Sequence, residues 1–246
     1  MTPDVPHLDP LRSSAADVEA FRRKLEERGL AVTIEAGARF VLDPARKHYP
    51  TLLTNADFAR RQWFYAWAID LAADLGSPIV SIWSGAVEPD TPPGDAAFST
   101  LATRLVPTLE HAAAKGVALC FEPEPGMLVQ TIDDYLRLCG HLSKRTELPL
   151  ALTIDTGHLA AGEAPPWDTR VIAAGPVLRN VQLDDAATGV HEHLMFGDGD
   201  VDFRAIARAL TSIGYDGPCS VELSRHSHDA ARVAKAAIRF LRDAGF

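Results

Sequence analysis

Four short apolar runs in this chain end in polar residues set two apart: Cys120-Phe121-Glu122-Pro123-Glu124, Thr153-Ile154-Asp155-Thr156, Asn180-Val181-Gln182-Leu183-Asp184 and Ser220-Val221-Glu222-Leu223-Ser224. Successive side chains of a strand face opposite sides, so in each run the polar set points one way and the apolar set the other. Glu122, Asp155, Gln182 and Glu222 follow one another at 33, 27 and 40 residues. Each interval is about one strand-helix repeat, so each step reaches the next strand at a similar height. Polar groups in register at the C-terminal ends of consecutive strands predict a parallel barrel. Its apolar sets pack against helices, and its polar sets converge at the end where barrel active sites are built.

The rest of the chain fits that reading. Helical periodicity over 14–29, 55–75, 95–115, 131–143, 202–213 and 228–244 alternates with β-type runs at 31–37, 78–85, 117–124, 148–158, 177–186 and 218–225. Asn55 and Asp202 read as N-caps, and Gly29, Gly76 and Gly214 as stops. No Gly-rich phosphate fingerprint follows the early strands, which argues against a dinucleotide fold. The Pro/Gly-rich stretch 87–95 reads as a surface loop, because the alternation continues on both sides of it. With 246 residues, 47% of them hydrophobic, the expectation is one domain over 1–246.

Composition excludes several classes. A net charge of −9 argues against a nucleic-acid binder, whose affinity comes from Lys and Arg neutralising phosphates. No apolar run approaches the roughly 18 residues of a membrane span. The start, MTPDVPHLDP, has no basic segment followed by an apolar one, so no secretory signal is read. Cys120, Cys139 and Cys219 are isolated and odd in number, which fits packing roles in a reducing cytoplasm. A small-molecule enzyme, with homo-oligomer formation left open, is the expectation.

A lone acidic residue at a strand end is most often a helix cap or an ion-pair partner. Four in register are harder to explain so, since each would be a polar group needing its own partner inside a barrel. Together, Glu122, Asp155, Gln182 and Glu222 offer oxygen ligands to one divalent cation. Mn²⁺, Mg²⁺ and Co²⁺ suit carboxylate and amide oxygens best, and Zn²⁺ also fits. The Gln182 carbonyl ligates without adding charge. Glu124 faces the same way as Glu122 and competes with it for the first position.

At these residues the chain resembles the xylose isomerase-like TIM-barrel superfamily of sugar and sugar-phosphate isomerases and epimerases. That group includes tagatose/psicose 3-epimerases, inosose dehydratases, hydroxypyruvate isomerases and endonuclease IV. The resemblance runs from about residue 14 onward and rests on FEPEPG around Glu122, IDTGH at Asp155 and His158, VQLDD at Gln182, HEHLMFGDGDVDF, and SVELS at Glu222. It favours Glu122 over Glu124. Most members carry His where this chain has Gln182; the hydroxypyruvate isomerase branch resembles it in using Gln. Members open with a strand, a helix and a second strand, whereas this chain enters at the tail of strand 2. The expected fold is therefore a (β/α)8 TIM barrel lacking the first βα unit, which leaves one wall of the substrate pocket in question.

The resemblance implies proton abstraction alpha to a carbonyl, through a metal-stabilised ene-diolate of a sugar, sugar phosphate or related hydroxy-carbonyl compound. Glu122 and Glu222 would be ligands and the acid/base pair, with Asp155 and Gln182 as further ligands. His158 is placed to bond a substrate oxygen, or else is a loop histidine bonded to backbone. His191 faces substrate or a carboxylate, and His193 lies behind it or in solvent. Trp83 walls the substrate or is an ordinary core aromatic. Gly197 and Gly199 form a turn whose amides are a weak candidate phosphate contact. The alternatives are a dehydratase on the same metal site, or a non-catalytic or partner-dependent truncated barrel. His191 and His193 also resemble the R-H-E-H segment that binds extra zinc in endonuclease IV, but the acidic charge and the missing early histidines weigh against DNA repair.

Overall fold

The computed structural model describes Met1 and residues 7–246. The chain divides into two compact units: Met1–Phe121 with Gly126–Val129 and Asp133–Ala151, and Glu122–Pro125 with Gln130–Ile132 and Leu152–Phe246.

In the first unit, α1 (Ala15–Glu27), β1 (Ile34–Glu35), α2 (Phe58–Leu75), β2 (Ile79–Ile82), α3 (Asp95–Lys115) and β3 (Ala118–Phe121) alternate, and most of α4 (Ile132–Leu142) follows. β1 pairs with β2 and β2 with β3, all parallel, with Glu35 opposite Ser81 and Ile82 opposite Phe121. β2 is buried along its whole length, as expected for a parallel strand covered on both faces. α1 starts with a capping box in which Ser14 and Asp17 each bond the other's backbone amide. α2 and α3 both stop at glycines in the left-handed region, Gly76 at φ 72° and Gly116 at φ 69°. The expected cap Asn55 is not one. α2 begins at Phe58, and the Asn55 side chain instead bonds Asp90 and Arg104.

Met1 joins this sheet. Its amino group donates to Thr33 O at 2.6 Å, and Glu35 N donates to Met1 O at 2.9 Å, the pattern of a parallel neighbour. The expectation that the following residues are the tail of a strand falls on positions 2–6, outside the described residues.

Between β1 and α2 the chain runs without regular structure and is tied to a buried guanidinium. Arg61, fully buried on α2, donates to Pro50 O (2.7 Å), His48 O (2.6 Å) and Ala36 O (3.3 Å). Ala38, Arg39 and His48 all sit at positive φ, a conformation that L side chains adopt only when the surroundings hold it.

The second unit holds β4 (Ala151–Asp155, from Leu152 on), α5 (Thr156–Gly162), α6 (Trp167–Ala174), β5 (Leu178–Leu183), α7 (Phe203–Ser212), β6 (Cys219–Val221), a 3-10 segment at Ser224–Asp229 and α8 (Ala230–Ala244). β4 pairs with β5 and β5 with β6, again parallel. Asp155 stands opposite Gln182, and Gln182 opposite Ser220. The expected strand over 148–158 ends at Asp155, because Thr156–His158 turn directly into α5 with Asp155 as its cap. Asp202 caps α7 as expected, accepting from Ala205 N at 3.0 Å. Among the described residues no helix is long and apolar enough to cross a membrane.

Candidate active site

The polar cluster lies in the second unit, at strand C-terminal ends. Glu122 directly follows Phe121, Asp155 closes β4, Gln182 lies in β5, and Glu222 follows β6 directly. The parallel register sets Asp155 beside Gln182, and Glu222 N bonds Leu183 O at 2.9 Å, which keeps the next side chain level with them. Glu122, Asp155 and Gln182 are buried, at 4%, 1% and 5% exposure, and Glu222 is half-buried.

Hydrogen bonding divides these groups. Gln182 Nε2 donates to Glu222 Oε2 at 2.8 Å, which orients the amide and leaves its carbonyl pointing elsewhere. That Gln182 Oε1 is buried with no hydrogen-bond partner, and so is Asp155 Oδ2; Asp155 Oδ1 accepts from His158 N at 2.8 Å. Two orphaned buried oxygens on paired strands are costly unless something electropositive meets them. The donor set of three carboxylates and one amide fits a divalent cation in charge and in hardness.

His158 joins the cluster. Its Nδ1 lies 3.2 Å from Glu122 Oε1 and 4.0 Å from Asp155 Oδ1. Glu122, Asp155 and His158 each place a ligand atom within 4.8 Å of the others, as do His158, His191 and His193. The His158 and His191 rings meet edge to face at 4.8 Å between centroids. His193, expected behind His191 or in solvent, is part-exposed and has Nδ1 2.6 Å from Asp184 Oδ2. Asp184 is fully buried and shares the Gln182 face of β5, so the alternation that picked out Gln182 marks Asp184 too.

Burial dominates the electrostatics. It pushes the Glu122 carboxyl well above its ordinary value, Asp155 up to about 7 and Asp184 up to about 6. Burial opposes charge on His158, but the Asp155 and Glu122 carboxylates outweigh it and raise that imidazole well above its usual range. The cluster thus holds more carboxylates than it has cations to balance.

Trp83 belongs to the first unit. It is buried just past β2, where Tyr65 OH donates to its carbonyl at 3.2 Å, the His48 ring meets it edge-on at 5.3 Å, and the Arg61 guanidinium lies 5.0 Å from its ring centre. The turn at Gly197 and Gly199 is already occupied. Both amides and that of Val201 donate to the buried Asp185 carboxylate at 2.8–3.1 Å, so they are not available to a phosphate.

Strand-helix repeats in parallel register with polar residues converging at the strand C-termini define a TIM-barrel protein. The sequence profile of the xylose isomerase-like TIM barrel family matches residues 1–244, and the chain belongs to that family. A ketose 3-epimerase from Arthrobacter globiformis is 24% identical over 224 residues, covering 89% of this chain and 71% of that protein. Among solved structures, a D-tagatose 3-epimerase-like protein superposes with a TM-score of 0.75 at 18% identity, over 98% of this chain and 88% of that one. An L-ribulose 3-epimerase superposes at 0.75 and 22% identity, over 97% and 82%.

Proposed function

We propose that this chain is a divalent-metal-dependent epimerase or isomerase of a sugar or related hydroxy-carbonyl compound. The observation that carries the reading is the pair of unpartnered buried oxygens, Asp155 Oδ2 and Gln182 Oε1, on strands paired in register beside Glu222. The likeness to a ketose 3-epimerase supports the substrate class.

Glu122, Asp155, Gln182 and Glu222 would hold the cation, with Mn²⁺, Mg²⁺ or Co²⁺ the best match to four oxygens and Zn²⁺ also accommodated. When bound, the ion supplies Lewis-acid polarisation of the substrate carbonyl, an effect worth several kcal/mol. Glu122 and Glu222 move the proton. One takes it from the carbon next to the carbonyl, and the other returns one to the opposite face for epimerisation, or to the neighbouring carbon for isomerisation. Gln182 Nε2 fixes the angle of the Glu222 carboxylate. His158 and His191 face substrate oxygens. His158 also lies against Glu122, so a proton on that imidazole steadies the glutamate's charged form.

Metal analysis and solvent-deuterium exchange test this. The protein should hold about one divalent ion per chain and incorporate deuterium next to the carbonyl of a ketose. Glu122→Gln and Glu222→Gln should each lower that exchange by roughly 10²–10⁴-fold. A folded protein that stays metal-free after incubation with Mn²⁺ and Co²⁺ would refute the reading.

A further inference from the structure

Asp184 has no part in the proposed ligand set or proton transfer, yet it is fully buried and its position is fixed from several directions. Gly157 N donates to its Oδ1 at 2.8 Å, and His193 Nδ1 lies 2.6 Å from its Oδ2. Its backbone is clamped too: Thr156 Oγ1 donates to Asp184 O at 2.7 Å and accepts from Asp184 N at 3.1 Å. A Cβ on residue 157 would stand 2.4 Å from Asp184 Oδ2, so only glycine leaves room for the carboxylate. The Thr156-Gly157 pair therefore seats Asp184, and Asp184 seats His193.

A carboxylate facing Nδ1 selects the tautomer with the proton on Nδ1 and leaves Nε2 as the acceptor nitrogen. His193 keeps 19% of its side chain exposed, and its ring centre lies 5.7 Å from that of His158 and 5.8 Å from that of His191. One of its nitrogens is within 4.8 Å of an Asp155 carboxylate oxygen. The ring is thus beside the proposed reaction centre, partly open, and has a single nitrogen left to offer.

We propose that His193 is a substrate-contacting residue whose Nε2 accepts a hydrogen bond from a substrate hydroxyl near the reacting carbonyl, and that Asp184 is its positioning residue. This rests on the epimerase reading and narrows it to polyhydroxylated substrates. A site built to pair with a hydroxyl rejects the analogue lacking it, because the protein group is then left unpaired.

Asp184→Asn tests the clamp. With its oxygen kept by Gly157 N, the amide presents an N–H to Nδ1, and the imidazole proton moves to Nε2, so that His193 meets the substrate as a donor. Two-bond ¹H–¹⁵N spectra should show the Nδ1–H tautomer in the wild type and Nε2–H in the variant. On a ketose that the wild type turns over, His193→Ala should raise KM about tenfold. It should leave kcat within about threefold. Asp184→Asn should raise KM similarly, and the double variant should be no worse than His193→Ala alone. Across single-deoxy ketoses, the His193→Ala penalty should vanish for the analogue lacking the contacted hydroxyl. Nε2–H in the wild type, an unchanged KM in His193→Ala, or additive losses in the double variant would overturn the proposal. His193→Ala keeps the test valid if Asp184→Asn fails to fold. Absence of exchange by metal-loaded wild type on every ketose is a different result: it overturns the epimerase reading, and the hydroxyl contact with it.

Discussion

Gln182 sits where a charged side chain could serve as ligand, and its two ends divide the work. The nitrogen grips Glu222 and the oxygen is left bare. Gln182→Glu would replace that hydrogen bond with two carboxylates in contact. The metal-free variant should lose about 1–3 kcal/mol of stability in urea unfolding, and added Mn²⁺ should recover most of it. Gly157→Ala should cost a similar 1–3 kcal/mol, since the new methyl overlaps the Asp184 carboxylate. The Gln182 carbonyl was legible in the sequence, because strand alternation puts residues 180, 182 and 184 on one face. Its bond to Glu222 was not, since the two are 40 residues apart and meet only once β5 and β6 pair in register. The contact of His193 with Asp184 was not legible for the same reason: nothing local connects it to a carboxylate nine positions earlier.

At the level of elements, all six expected helices and all six expected strands form. The misses are short pieces. α5 is only seven residues long and starts inside a run of β-branched and apolar residues that reads as one strand. What breaks that strand is the Asp155 side chain capping His158 N. α6 and the 3-10 turn after Leu223 lack a periodic apolar face long enough to register. The Gly197–Val201 loop gave a turn signal, but its organiser, Asp185, lies 12 residues before Gly197. Asp185→Ala should orphan four amides, those of Ala186, Gly197, Gly199 and Val201, and speed hydrogen exchange across 197–201, while Asp202→Ala should cost only about 1 kcal/mol, by fraying the start of α7.

For the molecule as a whole, uncompensated buried acid makes metal-free stability depend on pH. Asp155 and Asp184 bind protons more tightly folded, at about 7 and about 6, than at their ordinary 3.8. Their contribution is therefore fully present below about pH 4 and is lost as pH rises through 6 to 7. Melting temperatures of the chelated protein should fall across that window, and a saturating divalent ion should flatten or reverse the slope. A flat profile without metal would mean that these carboxyls are not buried as described. The fold class was readable from the alternation because βα repeats write both periods into the sequence. The substrate was not, because loops choose it, and their shape rests on contacts that no local pattern encodes.

One such contact has a practical consequence. Arg61 holds the segment after β1 entirely through main-chain carbonyls, at Ala36, His48 and Pro50. A latch that recognises only backbone is indifferent to the side chains it restrains. Exposed positions of that segment outside the left-handed region, Phe40 and Lys47 among them, could then be randomised in a library while the loop keeps its course, provided Arg61 is left alone.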